Sequence, residues 1–105
     1  MSVYAVEGTW VAHQSNGIDV TFNLTRDDVL LSGSARFNGT QSQDLKGRLS
    51  DNRIVITVTW NANSAGEYNG FLGVDDRLTG HTFDLRNPSQ QATWFTTQGF
   101  TAVTP

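Results

Sequence analysis

The sequence predicts an all-β fold, an eight-stranded antiparallel up-and-down β-barrel, from three features. Apolar and polar residues alternate with period two, and no long window places apolar residues at three-four spacing. Seven turn signals cut the chain into short runs. Inside those runs one pattern recurs four times: Leu31-Ser32-Gly33, Leu45-Lys46-Gly47, Tyr68-Asn69-Gly70 and Leu78-Thr79-Gly80. Residues two apart share a strand face, so each large residue and its glycine point the same way. Recurrent strand glycine marks sharp coiling or close backbone approach, as a sheet rolled into a small barrel requires.

The elements follow in order. Run 6–14 holds Trp10 and ends at Ser15-Asn16-Gly17. In run 18–26, Ile18, Val20, Phe22 and Leu24 alternate with polar residues up to the turn at Arg26-Asp27-Asp28. Run 29–38 carries Leu31 and closes at Asn38-Gly39-Thr40, and run 43–50 presents Leu45, Gly47 and Leu49 before Ser50-Asp51-Asn52. Run 53–61 sets Ile54, Ile56, Val58 and Trp60 against Val55, Thr57 and Thr59. A turn at 61–66 leads to run 66–74, with Tyr68 and Leu72, and to Val74-Asp75-Asp76. Run 77–86 is open in register, because Leu78, Gly80, Thr82 and Asp84 oppose Thr79, His81 and Phe83. After Asn87-Pro88-Ser89, run 91–103 alternates Ala92, Trp94 and Thr96 with Thr93, Phe95 and Thr97, and Val103 completes the expected interior. Short connections make neighbours in sequence neighbours in the sheet, and closure removes the exposed edges. A two-sheet sandwich is the alternative, but it prefers longer crossovers.

With 105 residues the chain is a single domain, 1–105, with one core. No apolar run approaches the roughly 20 residues of a membrane-spanning helix, so no membrane partner is expected. Without cysteine there is no disulfide framework, thiol chemistry or Cys-type zinc site. The start, Met1 to Glu7, lacks a basic segment followed by an apolar block, which leaves a cytoplasmic protein or one released without a visible signal. The net charge is −3, and the seven basic residues are scattered along the chain, so no nucleic-acid partner is expected. Val55, Phe95, Phe71 and Phe83 form a second apolar row on the outside, which fits a homo-oligomer, a dimer or tetramer.

The motifs, taken in order, resemble a known family. Gly8-Thr9-Trp10, Leu31-Ser32-Gly33, Leu45-Lys46-Gly47, Val58-Thr59-Trp60-Asn61, Gly66-Glu67-Tyr68-Asn69-Gly70, Ala92-Thr93-Trp94 and Phe100-Thr101-Ala102-Val103 look like avidin and streptavidin. The resemblance runs loosely over residues 8–103 and implies an eight-stranded barrel that binds biotin and assembles as dimers or tetramers. By the same resemblance Trp60 and Trp94 stand where that family has aromatic walls. Its polar residues match poorly. The position for the ureido-oxygen ligand falls on Ala12, and the strand-three tyrosine and serine fall on Ala35 and Phe37. The loop 62–65 lacks the family's tryptophan, and no aspartate lies near Gln98-Gly99. A strand-seven tryptophan would be Thr82, or Phe83 after a one-residue shift. Unmatched buried donors and acceptors cost about 1–3 kcal/mol each, so tight biotin binding is not expected.

The expected site residues are Trp60, Trp94, Tyr68, Asn16, Asn61, Thr82, Asp84 and Thr96. Rigid aromatic area with nearby hydroxyls and amides suits a small neutral ligand, above all a carbohydrate. Core packing is the plain alternative for both tryptophans, and Trp10 is expected to plug the closed end. His13 and His81 lack metal-ligand spacing, and Asp27-Asp28 and Asp75-Asp76 read as turn residues, so no cofactor or metal is expected. Two other classes remain: a filled barrel acting through its loops as an interaction or inhibitor protein, and an enzyme. The enzyme needs an internal acid or base, for which Asp84 and Tyr68 are the candidates.

Overall fold

The computed structural model describes residues 3–100 and 102–103. Eight long strands form the wall: β2 (Gly8–Gln14), β3 (Asp19–Asp27), β4 (Leu30–Phe37), β6 (Asp44–Ser50), β7 (Arg53–Asn61), β8 (Ser64–Leu72), β9 (Arg77–Asp84) and β10 (Gln91–Gly99). Each pairs antiparallel with its sequence neighbours, and β10 pairs back onto β2, which closes the barrel. Three two-residue pieces complete the described strands. They are β1 (Val3–Tyr4), β5 (Thr40–Gln41) and β11 (Ala102–Val103), of which β1 pairs with β11 and β5 with β4.

Turn chemistry sets the strand ends. Asp28, Asn38, Asp51 and Asp76 adopt positive φ of 49° to 63°, which Asn and Asp tolerate better than other side chains. The acidic pairs at 27–28 and 75–76 are therefore hairpin residues. The predicted 61–66 turn is tighter than expected. Asn61 pairs with Ser64, and the Asn61 side chain accepts the Asn63 amide at 2.8 Å. The last predicted strand breaks after Gly99, because Phe100 turns inward and its amide donates to the Asp76 carbonyl at 2.7 Å. The first wall strand starts at Gly8 rather than residue 6, and residues 4–6 cross the barrel end, where Tyr4 and Val6 are buried.

The interior follows the alternation. Trp10, Val20, Phe22, Leu24, Leu31, Leu45, Leu49, Ile54, Ile56, Val58, Tyr68, Leu78, Ala92 and Trp94 are buried. Trp60 and Leu72 are only partly buried, and the expected Val103 side chain lies outside the described residues. Ile18 leaves the inward row because it sits in the turn before β3 and is exposed. Strand β9 takes the register with Leu78, Gly80 and Thr82 inward, opposite Trp94 and Ala92 on β10.

The recurrent glycines mark close approach. A Cβ on Gly70 would lie 2.6 Å from the Trp94 ring, and one on Gly80 would run into the Asn69 backbone carbonyl. Glycine there lets a tryptophan and two strands share space that a side chain would take.

Candidate ligand-binding site

The two barrel ends differ. At one, Trp10 packs on Phe22 (ring centroids 4.8 Å) and edge-on to Phe100 (5.3 Å), and its indole nitrogen donates to the Val6 carbonyl at 2.9 Å. Tyr4 and Val6 seal that end, so Trp10 is a plug. At the other end the strand termini leave a polar cup of about 180 Å³. Its walls include Gln14, Asn16, Trp60, Tyr68, Thr82, Asp84 and Gln91. A second hollow of about 150 Å³ adjoins it between Gln14, Ile18, Val20, Phe37, Trp60 and Tyr68.

Tyr68 is the floor. Its inward position on β8 buries the ring against Phe22 at 5.1 Å and Trp94 at 6.1 Å. Its hydroxyl donates to Gln14 Oε1 at 2.6 Å, and Gln14 Nε2 in turn donates to Asn16 Oδ1 at 3.2 Å. Burial pushes the Tyr68 phenol up to about 12, and the neighbouring Thr82 hydroxyl pulls it slightly back. It is neutral across the physiological range and serves as a hydrogen-bonding group, not a base. Trp60, partly buried at the end of β7, meets Phe37 edge to face at 4.8 Å and forms a wall shared by both hollows.

Asn16, Trp60, Tyr68, Thr82 and Asp84 of the expected set therefore come together. The other three do not line the cup. Trp94 lies a layer below Tyr68, buried, stacked on Trp10 at 6.2 Å and donating to the His81 carbonyl at 3.1 Å. Asn61 spends its side chain on the hairpin it caps. Thr96 sits toward the plugged end, where its hydroxyl accepts the Leu78 amide at 3.1 Å and donates to the Gln98 carbonyl at 2.9 Å, next to a β-bulge. Gln14 and Phe37 complete the site without having been singled out for it. The same alternation that sets Trp10 and Ala12 inward on β2 brings Gln14 inward, and Ala35 does the same for Phe37 on β4.

Below Tyr68 stand the buried rings of Phe22 and Trp94, and Ala12 and Ala35 are fully buried with no side-chain polar group to offer a ligand. A search of solved structures finds a low-affinity mutant of shwanavidin carrying a phenylalanine-to-alanine change. It superposes with a TM-score of 0.63 at 16% identity, over 89% of this chain and 97% of that one. The fold is avidin-like. At that identity the avidin-like likeness is one of scaffold and does not extend to the ligand. No protein-family model matches the sequence, and no curated protein sequence matches it either.

Proposed function

We propose that this chain is a non-enzymatic binding protein that holds a small neutral ligand in the mouth of its avidin-like barrel, a single saccharide ring fitting best. The polar cup against Trp60 carries this reading. Stacking area from Trp60 stands beside Asn16, Gln14, Thr82 and Asp84, the pairing of apolar face and hydroxyl partners that a pyranose needs. Ligand cavities usually span about 300–1,000 Å³, so a cup of about 180 Å³ selects one ring over an extended molecule. Against biotin stand Tyr68, Phe22 and Trp94, which occupy the depth of the barrel.

The test is a thermal-shift panel of neutral monosaccharides beside biotin, repeated on Trp60→Ala. A ligand that binds only the folded state raises the melting temperature by mass action. The expected result is a saccharide shift, silence from biotin, and affinity about tenfold lower in Trp60→Ala, from one lost stacking contact. A biotin shift would restore the family ligand. Silence from every sugar would favour the second reading, an interaction barrel working through its loops, which has its own support in the burial of Trp94.

A further inference from the structure

Three of the seven basic residues come together in space. Lys46 and Arg48 point outward from β6, and Arg53 points outward from β7, with Arg48 opposite Val55 and Ser50 opposite Arg53. All three line one groove of about 420 Å³ with Ser50, Val55 and Thr57. They make up three of the seven basic residues in a chain of net charge −3. Among the described residues the ion pairs are His13–Asp19 and Arg26–Glu7, and neither involves these three. The acids on β6, β7, the turn between them and the flanking strands β4 and β8 are Asp44, Asp51 and Glu67. Asp44 lies two residues from Lys46 on the same strand, Asp51 is in the turn between Ser50 and Arg53, and Glu67 accepts from Asn69. None of these acids is in ion-pairing contact with the cluster. Three like charges on adjacent strands repel one another, and without a carboxylate partner an anion from outside relieves that repulsion.

The walls add a second requirement. They are largely carbon: Val55 is exposed, and Lys46, Arg48 and Arg53 carry long aliphatic stems below their charged ends. Inorganic phosphate would leave that carbon surface in water. We propose that this groove binds a tetrahedral oxyanion carried on an apolar body, a phosphate or sulfate monoester. The anion would be held by Arg48, Arg53 and Lys46 and the body would lie on Val55 and Thr57. Ser50 and Thr57 supply hydroxyl donors of the kind that complete such a site. This groove lies on the outer wall, away from the barrel mouth, and does not depend on what the mouth binds.

The test uses 1-naphthyl phosphate and 1-naphthyl sulfate, titrated calorimetrically at low salt into the intact protein, with inorganic phosphate and 1-naphthol as half-ligands. The expected result is binding of one or both esters at least about tenfold tighter than either half-ligand, weakened about tenfold in Arg48→Ala and in Arg53→Ala. The phosphate and sulfate arms separate the two sources of the oxyanion. Arg77→Ala, on another strand, and Trp60→Ala, in the mouth, leave the ester affinity unchanged. Melting curves of each variant confirm that it is folded. Equal loss in Arg77→Ala and Arg48→Ala, no advantage of the esters over phosphate, or no ester binding would overturn the site. Binding of a DNA oligonucleotide without ester binding would overturn the small-ligand assignment in particular.

Discussion

Tyr68 stands where the wet mouth of the barrel meets its dry interior, and its hydroxyl settles how that boundary is held. The bond to Gln14 at 2.6 Å joins β8 to β2 across the mouth, while the ring seals the layer containing Phe22 and Trp94. Tyr68→Phe removes the donor and leaves Gln14 near water, so a cost of about 1 kcal/mol is expected by urea denaturation. The pH dependence carries a sign. The folded-state phenol titrates near 12 against an ordinary 10.0, so the unfolded chain loses this proton first as pH rises. Stability from this group is complete below about pH 10 and falls by roughly 2–3 kcal/mol as pH approaches 12. Melting curves should therefore drop more steeply above pH 10 in the parent protein than in Tyr68→Phe. Equal slopes would show that the phenol is solvated. The burial that raises this group follows from its inward place on β8, which the alternation of Tyr68, Gly70 and Leu72 already indicates.

At the scale of strands, the glycine rows decide how closely the wall coils. Gly70 and Gly80 face each other across β8 and β9, and Trp94 lies over Gly70. Gly70→Ala pushes on the buried Trp94 ring, a side chain and not backbone, and a loss of about 1–3 kcal/mol is expected from overpacking. Gly80→Ala meets the Asn69 carbonyl, backbone that cannot turn aside, so the β8–β9 pairing itself must open. The larger loss is expected there, with a lower denaturation midpoint and faster amide exchange at Asn69 and His81. If Gly70→Ala proved the more damaging, ring packing and not strand approach would be the role of these glycines. The recurrence of glycine two residues after a large apolar residue is visible in the sequence. Which backbone or ring it makes room for is not, because that partner comes from another strand, 11 residues away for Gly80 and 24 for Gly70.

Across the whole molecule, the outer wall is as informative as the mouth. Phe71 and Phe95 are about half exposed, at 51% and 49%, and flank Thr79 of β9 from either side, with Phe95 beside His13 at 5.4 Å and Phe83 partly buried further along β9. Rows of aromatic surface of this kind in a small protein are covered by association. We expect the protein to sediment as a dimer or tetramer, and Phe95→Glu to return it to one chain with its melting cooperativity intact. A parent protein that sediments as a single chain across the micromolar range would leave the aromatic row without that role.

The sequence by itself determined the number and order of the wall strands, most of their turns, and the face of each residue outside β9, whose two apolar rows left its register to the structure. These are local properties: a period of two and a turn residue with positive φ need no distant partner to be recognised. Only the tertiary structure decided that Trp94 belongs to the core while Trp60 borders the cup. Both point inward, and what separates them is depth along the barrel, which depends on strand tilt and stagger summed around the closed sheet. The same closure joins Gln14 to Tyr68, 54 positions away. Side-chain direction is set strand by strand, whereas neighbourhood is set by how the whole ring of strands is staggered, and a chain read in order carries the first without the second.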